Sequence, residues 1–176
     1  MKNTRNLTLS GLFLALGIAL PFVTGNIPQI GSALLPMHLP VLLCGFICGW
    51  PWGLLVGFVT PLLRMVLVGM PPATAAIPMA FELAAYGALT GVLYRALPKT
   101  IPCLYASLLG AMLGGRIVWG VARWVMMASG VEFGLQAFLA GAFVNAIPGI
   151  IVQIILIPVL ILALRRARLM PGEVQA

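Results

Sequence analysis

Residues 61–86 read PLLRMVLVGMPPATAAIPMAFELAAY. This stretch sets one arginine, Arg64, and one glutamate, Glu82, inside apolar runs on either side of a Gly/Pro-rich connector. The whole chain has only ten basic and three acidic residues among 176. An ionisable side chain at membrane depth is costly, about 2.5–3.5 kcal/mol at a helix centre on insertion scales, and usually marks a site. Two such groups flanking one short connector therefore raise the question of which side of a membrane they face, and with what company.

Composition supports the premise of a membrane. Hydrophobic residues make up 62% of the chain, charged residues 7%, and the mean hydropathy is +1.13. Soluble domains carry about 25% charged residues, so the chain reads as one integral membrane domain spanning residues 1–176. The net charge of +7 does not point to nucleic acid, because the basic residues sit at the chain ends and in one loop rather than on a soluble face. Cys44, Cys48 and Cys103 all lie in apolar runs and read as inert buried thiols. With His38 as the only histidine and no Cys-x-x-Cys, no metal-ligand spacing appears. There is no nucleophile–base pair and no phosphate-binding glycine loop, so the sequence predicts neither an enzyme nor a cofactor.

Taken in order, the chain predicts an all-α membrane protein with six transmembrane helices. The first covers residues 7–23, read as a retained helix rather than a cleaved signal peptide because no clean A-x-A site follows it. Gly11, Ala15 and Ala19 make a smooth stripe on it, suited to close approach by another helix or to an ordinary internal contact. Residues 24–37 form a Gly/Pro-rich loop, and 38–49 a short second helix. Trp50-Pro51-Trp52 reads as a tight turn, and 51–68 as the third helix, with Gly57, Thr60 and Arg64 on one face. Residues 69–78 read as a connector, 79–97 as the fourth helix, 103–127 as the fifth, and 128–134 as a turn carrying Glu132. The last apolar run, 135–164, is too long for a straight span and is expected to kink at Pro148 and Pro158. Gly141, Asn145, Gly149 and Gln153 form a small and polar row along it.

Six crossings put both termini on one side, together with Lys2, Arg5, Arg95, Lys99, Arg165, Arg166 and Arg168. The positive-inside rule makes that side the cytoplasm. Arg64, Glu82, Arg116, Arg123, Asn145 and His38 then all fall in the outer half of the membrane. Two readings follow. In one, Arg64 pairs with Glu82 merely to lock helices together. In the other, two or three arginines against one deep glutamate leave an electropositive outer cavity for an anionic guest, most simply a carboxylate, which the guanidinium fork matches. Tyr86, Trp119 and neighbouring methionines would wall such a cavity, or serve as packing and interface residues.

The six-helix length, the stripe Gly11/Ala15/Ala19 and the outward polar residues resemble the S component of energy-coupling factor (ECF) transporters. The segment LLPMHLPVLLCGFICGWPWGLLVGFVTPLLR over residues 34–64, followed by GMPP and FELAAYG, is similar to a vitamin-type subgroup. The resemblance implies a multi-pass subunit of a bacterial cell membrane that works with a membrane T component and two ATPase subunits. It implies capture of a small water-soluble vitamin from outside, followed by toppling, with helix one meeting the T component. It also implies a site built from outer loops together with Glu82, Arg116 and Asn145. A niacin-like pyridine or carboxylate is the first expectation, with pantothenate or a B6 vitamer behind it. A small autonomous carrier, which would show an inverted repeat, and a non-transport membrane scaffold are the other classes.

Overall fold

Two glycines in left-handed backbone conformations divide the first half of the bundle. Gly49 (φ +94°) separates an eleven-residue helix from the one that follows, and Gly69 (φ +74°) closes that next helix by donating its N–H to the Met65 carbonyl. Side chains with a Cβ adopt this region only under strain, so glycine fixes both breaks. In the computed structural model, residues 2–24, 35–126, 134, 136, 139, 146–167 and 170 are described. They form α1 (Lys2–Thr24), α2 (His38–Cys48), α3 (Trp50–Val68), α4 (Ala73–Ala96), α5 (Ile101–Met126) and α6 (Ile147–Arg166).

Five of these helices are long and apolar enough to cross a membrane, which makes the chain a multi-pass membrane protein. α2 is the exception: its eleven residues span about 16 Å, against about 30 Å of hydrocarbon. It is nevertheless the most enclosed element, packed against α1, α3, α4 and α6. Val41, Leu42 and Cys44 are fully buried in it and belong to the same core as Leu83, Leu104, Leu108, Ile157 and Ile161.

α4 lies between α3 and α5 and also touches α2. Its approach to α3 is set by glycine. A Cβ at Gly53 would run into the backbone of Gly87, one at Gly87 into that of Gly53, and one at Gly57 into the Leu83 carbonyl. Gly91 meets the backbone of Trp50 in the same way. Small residues permit this contact where lipid offers no hydrophobic drive for helices to associate.

Polar contacts identify the two ends of the bundle. At one end, Asn6 of α1 reaches the Cys48 carbonyl, and Arg95 lies over Gly49. Arg165 of α6 bonds the Tyr94 hydroxyl (2.6 and 3.0 Å) and the Lys99 carbonyl there. The start of α1 and the finish of α6 therefore share an end. At the other end, Arg64 donates to the Met70 carbonyl and Arg123 to the Thr74 carbonyl.

The observed boundaries depart from the sequence reading in several places, with α1 beginning at Lys2 rather than Leu7 and α5 at Ile101 rather than Cys103. The turn between α2 and α3 is made by Gly49, and Trp50-Pro51-Trp52 already belongs to α3. α4 begins at Ala73 rather than Met79, because Pro72 is extended (ψ 157°) at the cap while its carbonyl accepts from Ala75 and Ala76. Pro78 then sits inside α4. α6 begins at Ile147 with Pro148 in its first turn, where a missing N–H costs no helical hydrogen bond. Most of residues 135–145, including Asn145 and Gly141, lie outside the described residues, as does Glu132.

Candidate functional site

Buried polar side chains in this bundle fall into two groups. Among the buried serines and threonines, Ser10 of α1 meets the Cys44 Sγ of α2 at 3.8 Å, and the others are satisfied within their own helices: Thr60 donates to the Val56 carbonyl (2.6 Å), Thr90 to that of Tyr86 (2.8 Å) and Ser107 to that of Cys103 (2.8 Å). Such local bonds let a hydroxyl sit in an apolar interior at little cost. His38, Glu82, Arg116 and Gln153 have no such route, and all four are at least nine-tenths buried.

Three of the four meet. Arg116 of α5 donates from Nη1 to Oε1 of Glu82 on α4 at 2.7 Å. His38, the first residue of α2, brings Nε2 to 3.5 Å from the same oxygen. Tyr86 stands one turn along α4 from Glu82, edge-on to the His38 ring with centroids 5.2 Å apart. A methyl group at Gly115, the neighbour of Arg116, would lie 3.1 Å from the Tyr86 ring carbons. Three helices thus converge on one carboxylate, and a glycine admits the aromatic ring beside it.

The cluster is well paired in charge but underused in hydrogen bonding. Arg116 and Glu82 neutralise each other, which is how buried charges persist. Yet Nε and Nη2 of Arg116, and both ring nitrogens of His38, are buried without a hydrogen-bond partner among the described residues. Each unmet buried group costs about 1–3 kcal/mol, and native interiors leave few of them. The surplus consists mainly of N–H donors, so a guest rich in acceptors would complete it.

The remaining sequence-derived candidates are placed as follows. Arg64 does not reach Glu82. It donates from Nε to the Met70 carbonyl (3.2 Å), with its guanidinium 5.1 Å from the centre of the Phe22 ring on α1. The expected Arg64–Glu82 pair is replaced by Arg116–Glu82, because Gly57 packs on Leu83 and so fixes the level at which α3 passes Glu82. Arg64 lies seven residues beyond that level, about 10 Å along the helix. Arg123 and Trp119 are half-buried further along α5, the guanidinium 5.8 Å from the ring centre, with Arg123 bonded to the Thr74 carbonyl (3.2 Å). They lie towards the Met70/Thr74 end, as outworks of the cluster. Asn145 lies outside the described residues. Gly11, Ala15 and Ala19 are all exposed, and a Cβ at Gly11 would touch nothing within 4 Å. In sequence Gln153 is one member of a row of small and polar residues. The signal that singles it out is an amide in the 149/153/157/161 register, whose other large members are isoleucines.

Compared with known families, residues 5–161 match the family model described as "ECF transporter, substrate-specific component". Neither a curated protein nor a solved structure matches the chain.

Proposed function

Because the chain belongs to the ECF transporter substrate-specific components, we propose that the Glu82–Arg116–His38 cluster is where it holds its substrate. Membership makes the chain the substrate-specific subunit of a transporter rather than an enzyme, working with a T component and separate ATPase subunits. The finer reading is ours. The substrate is a small water-soluble vitamin or related nutrient bearing a carboxylate or an equivalent acceptor, niacin-like in the first instance, with pantothenate or a B6 vitamer next. One observation carries this: Arg116 is buried with two of its nitrogens unbonded among the described residues, beside a glutamate that already neutralises it. A guanidinium kept only to lock helices would have no reason to keep spare donors away from water.

The cluster receives its guest from the end of the bundle marked by Arg64, Arg123, Met70 and Thr74. The opposite end carries Arg5, Arg95, Lys99, Arg165 and Arg166, and by the positive-inside rule it faces the cytoplasm, so both termini lie inside. Five full-length helices cross the bacterial cell membrane, the sixth pass being made by α2, which alone covers only about half the hydrocarbon thickness. The exposed stripe Gly11/Ala15/Ala19 is then the face on which α1 meets the T component as the subunit topples.

Two measurements test this. Thermal unfolding of the purified protein across a panel of vitamins is expected to show stabilisation by at least one compound, since a ligand at 100 times its Kd adds about 2.7 kcal/mol. A flat response across the panel would remove the vitamin reading. Ala15→Leu is expected to reduce co-purification of the T component and ATPases severalfold while leaving that ligand shift unchanged. Undiminished assembly would take α1 out of the interface. A structural lock is the competing reading, favoured by the short 2.7 Å Arg116–Glu82 contact. It would show as a pair whose removal lowers stability without touching affinity.

A further inference from the structure

Gln153 is fully buried on α6, and neither its Oε1 nor its Nε2 has a hydrogen-bond partner among the described residues. Its neighbours on the same face, Gly149, Ile157 and Ile161, are also buried, so the amide occupies a core position that Ile or Leu would fill without penalty. α6 packs against α2 and α5, the helices that carry His38 and Arg116. Nothing in the helix itself accounts for an amide here. Unlike the buried threonines and Ser107, Gln153 makes no bond back to its own backbone.

Taking the substrate reading above as its basis, we infer that Gln153 contacts the substrate and selects one carrying a neutral donor-and-acceptor group. The chemistry of the amide narrows the class. A carboxylate can accept from Nε2 but offers Oε1 only repulsion, and an ammonium can donate to Oε1 but not accept from Nε2. A hydroxyl, or an amide presenting both N–H and C=O, answers both atoms at once. The substrate is therefore bifunctional: an acceptor group for the spare donors of Arg116, and a hydroxyl or amide for Gln153. Among the candidates named above, this ranks a hydroxylated or amide-bearing compound such as pantothenate ahead of niacin, whose ring nitrogen can only accept.

The test uses the full chain in detergent, with nicotinate, pantothenate and pyridoxine as probes and thermal unfolding and affinity as paired readouts. Gln153→Leu is expected to raise the ligand-free unfolding temperature by a few degrees, because an unmet buried amide is removed. It is also expected to weaken the best hydroxyl- or amide-bearing probe by roughly tenfold or more. Gln153→Met, closer in shape, provides the same comparison should the leucine variant fold poorly. A fall in ligand-free stability with affinity unchanged would make Gln153 a structural residue and overturn the inference. So would a wild type that prefers nicotinate and binds it equally well as Gln153→Leu. Loss of binding in Arg116→Met but not in Gln153→Leu would sink this inference alone. If no probe stabilised the wild type, the substrate reading would fail and this inference with it.

Discussion

Arg116→Met is expected to lower the stability of the folded protein by about 3–5 kcal/mol, the range found when one partner of a buried ion pair is removed. Arg116 is 6% and Glu82 2% exposed, so the carboxylate left behind has no water to turn to. Among the described residues, the only other basic group within 4 Å of it is His38, whose Nε2 lies 3.5 Å away. The double variant Arg116→Met/Glu82→Gln removes the stranded charge and is expected to recover most of the loss, since an apolar or neutral replacement of a buried pair is often close to neutral. Affinity behaves differently: it stays low in both variants, because the donors that meet the guest are gone from each. Denaturant or thermal unfolding read beside ligand titration separates the two effects. Recovery of stability together with affinity would mean that Arg116 matters only as the counter-charge of Glu82. A single variant as stable as the wild type would mean that the pair carries little of the fold.

Gly53→Val and Gly87→Val are the other large effects. In each case the added side chain meets backbone on the facing helix, not the movable tip of a side chain. Overpacking a core ordinarily costs about 1–3 kcal/mol because neighbours can shift. Here α3 and α4 would have to separate along the contact made by Gly53, Gly57, Gly87 and Gly91, so a loss at or above the top of that range is expected. Gly11→Val is the control: with nothing within 4 Å of its Cβ, it is expected to change the stability of the isolated subunit by no more than about 0.5 kcal/mol. Detergent-solubilised yield and unfolding temperature report both. Gly53→Val with wild-type stability would show that the α3–α4 contact is not set by glycine.

Much of this arrangement can be read from the residues, and the parts that cannot have identifiable causes. His38 at the start of α2 and Val68 at the end of α3 follow from hydropathy and glycine placement. Glu82, His38, Tyr86 and Arg116 stand out in sequence because polar groups are so scarce, and the fold brings those four together. Asn145 lies outside the described residues. Arg64 and Glu82 are neighbours across a connector but not across the helix pair. The level at which two antiparallel helices pass is fixed by their packing contacts, here Gly57 on Leu83, and sequence distance carries no such information. The glycine contact itself is legible in the spacing: Gly45, Gly49, Gly53 and Gly57 recur every four residues, as do Gly87 and Gly91. The start of α4 was hidden by Pro71, Pro72 and Pro78, which punctuate a loop and a helix start equally well. Gln153 was inconspicuous because one amide in an apolar row is an ordinary residue until its neighbours are known to offer it nothing.

The brevity of α2 has a consequence for how the protein meets different lipids. Bilayers thicker or thinner than average tilt or stretch the segments that border them, at fractions of a kcal/mol per ångström. α2 is sheltered by its neighbours, with eight of its eleven residues buried, so acyl chains gain little purchase on it. The seat of His38 is thus gauged from surrounding protein rather than from hydrocarbon thickness, and should hold its shape as membrane composition drifts with growth temperature.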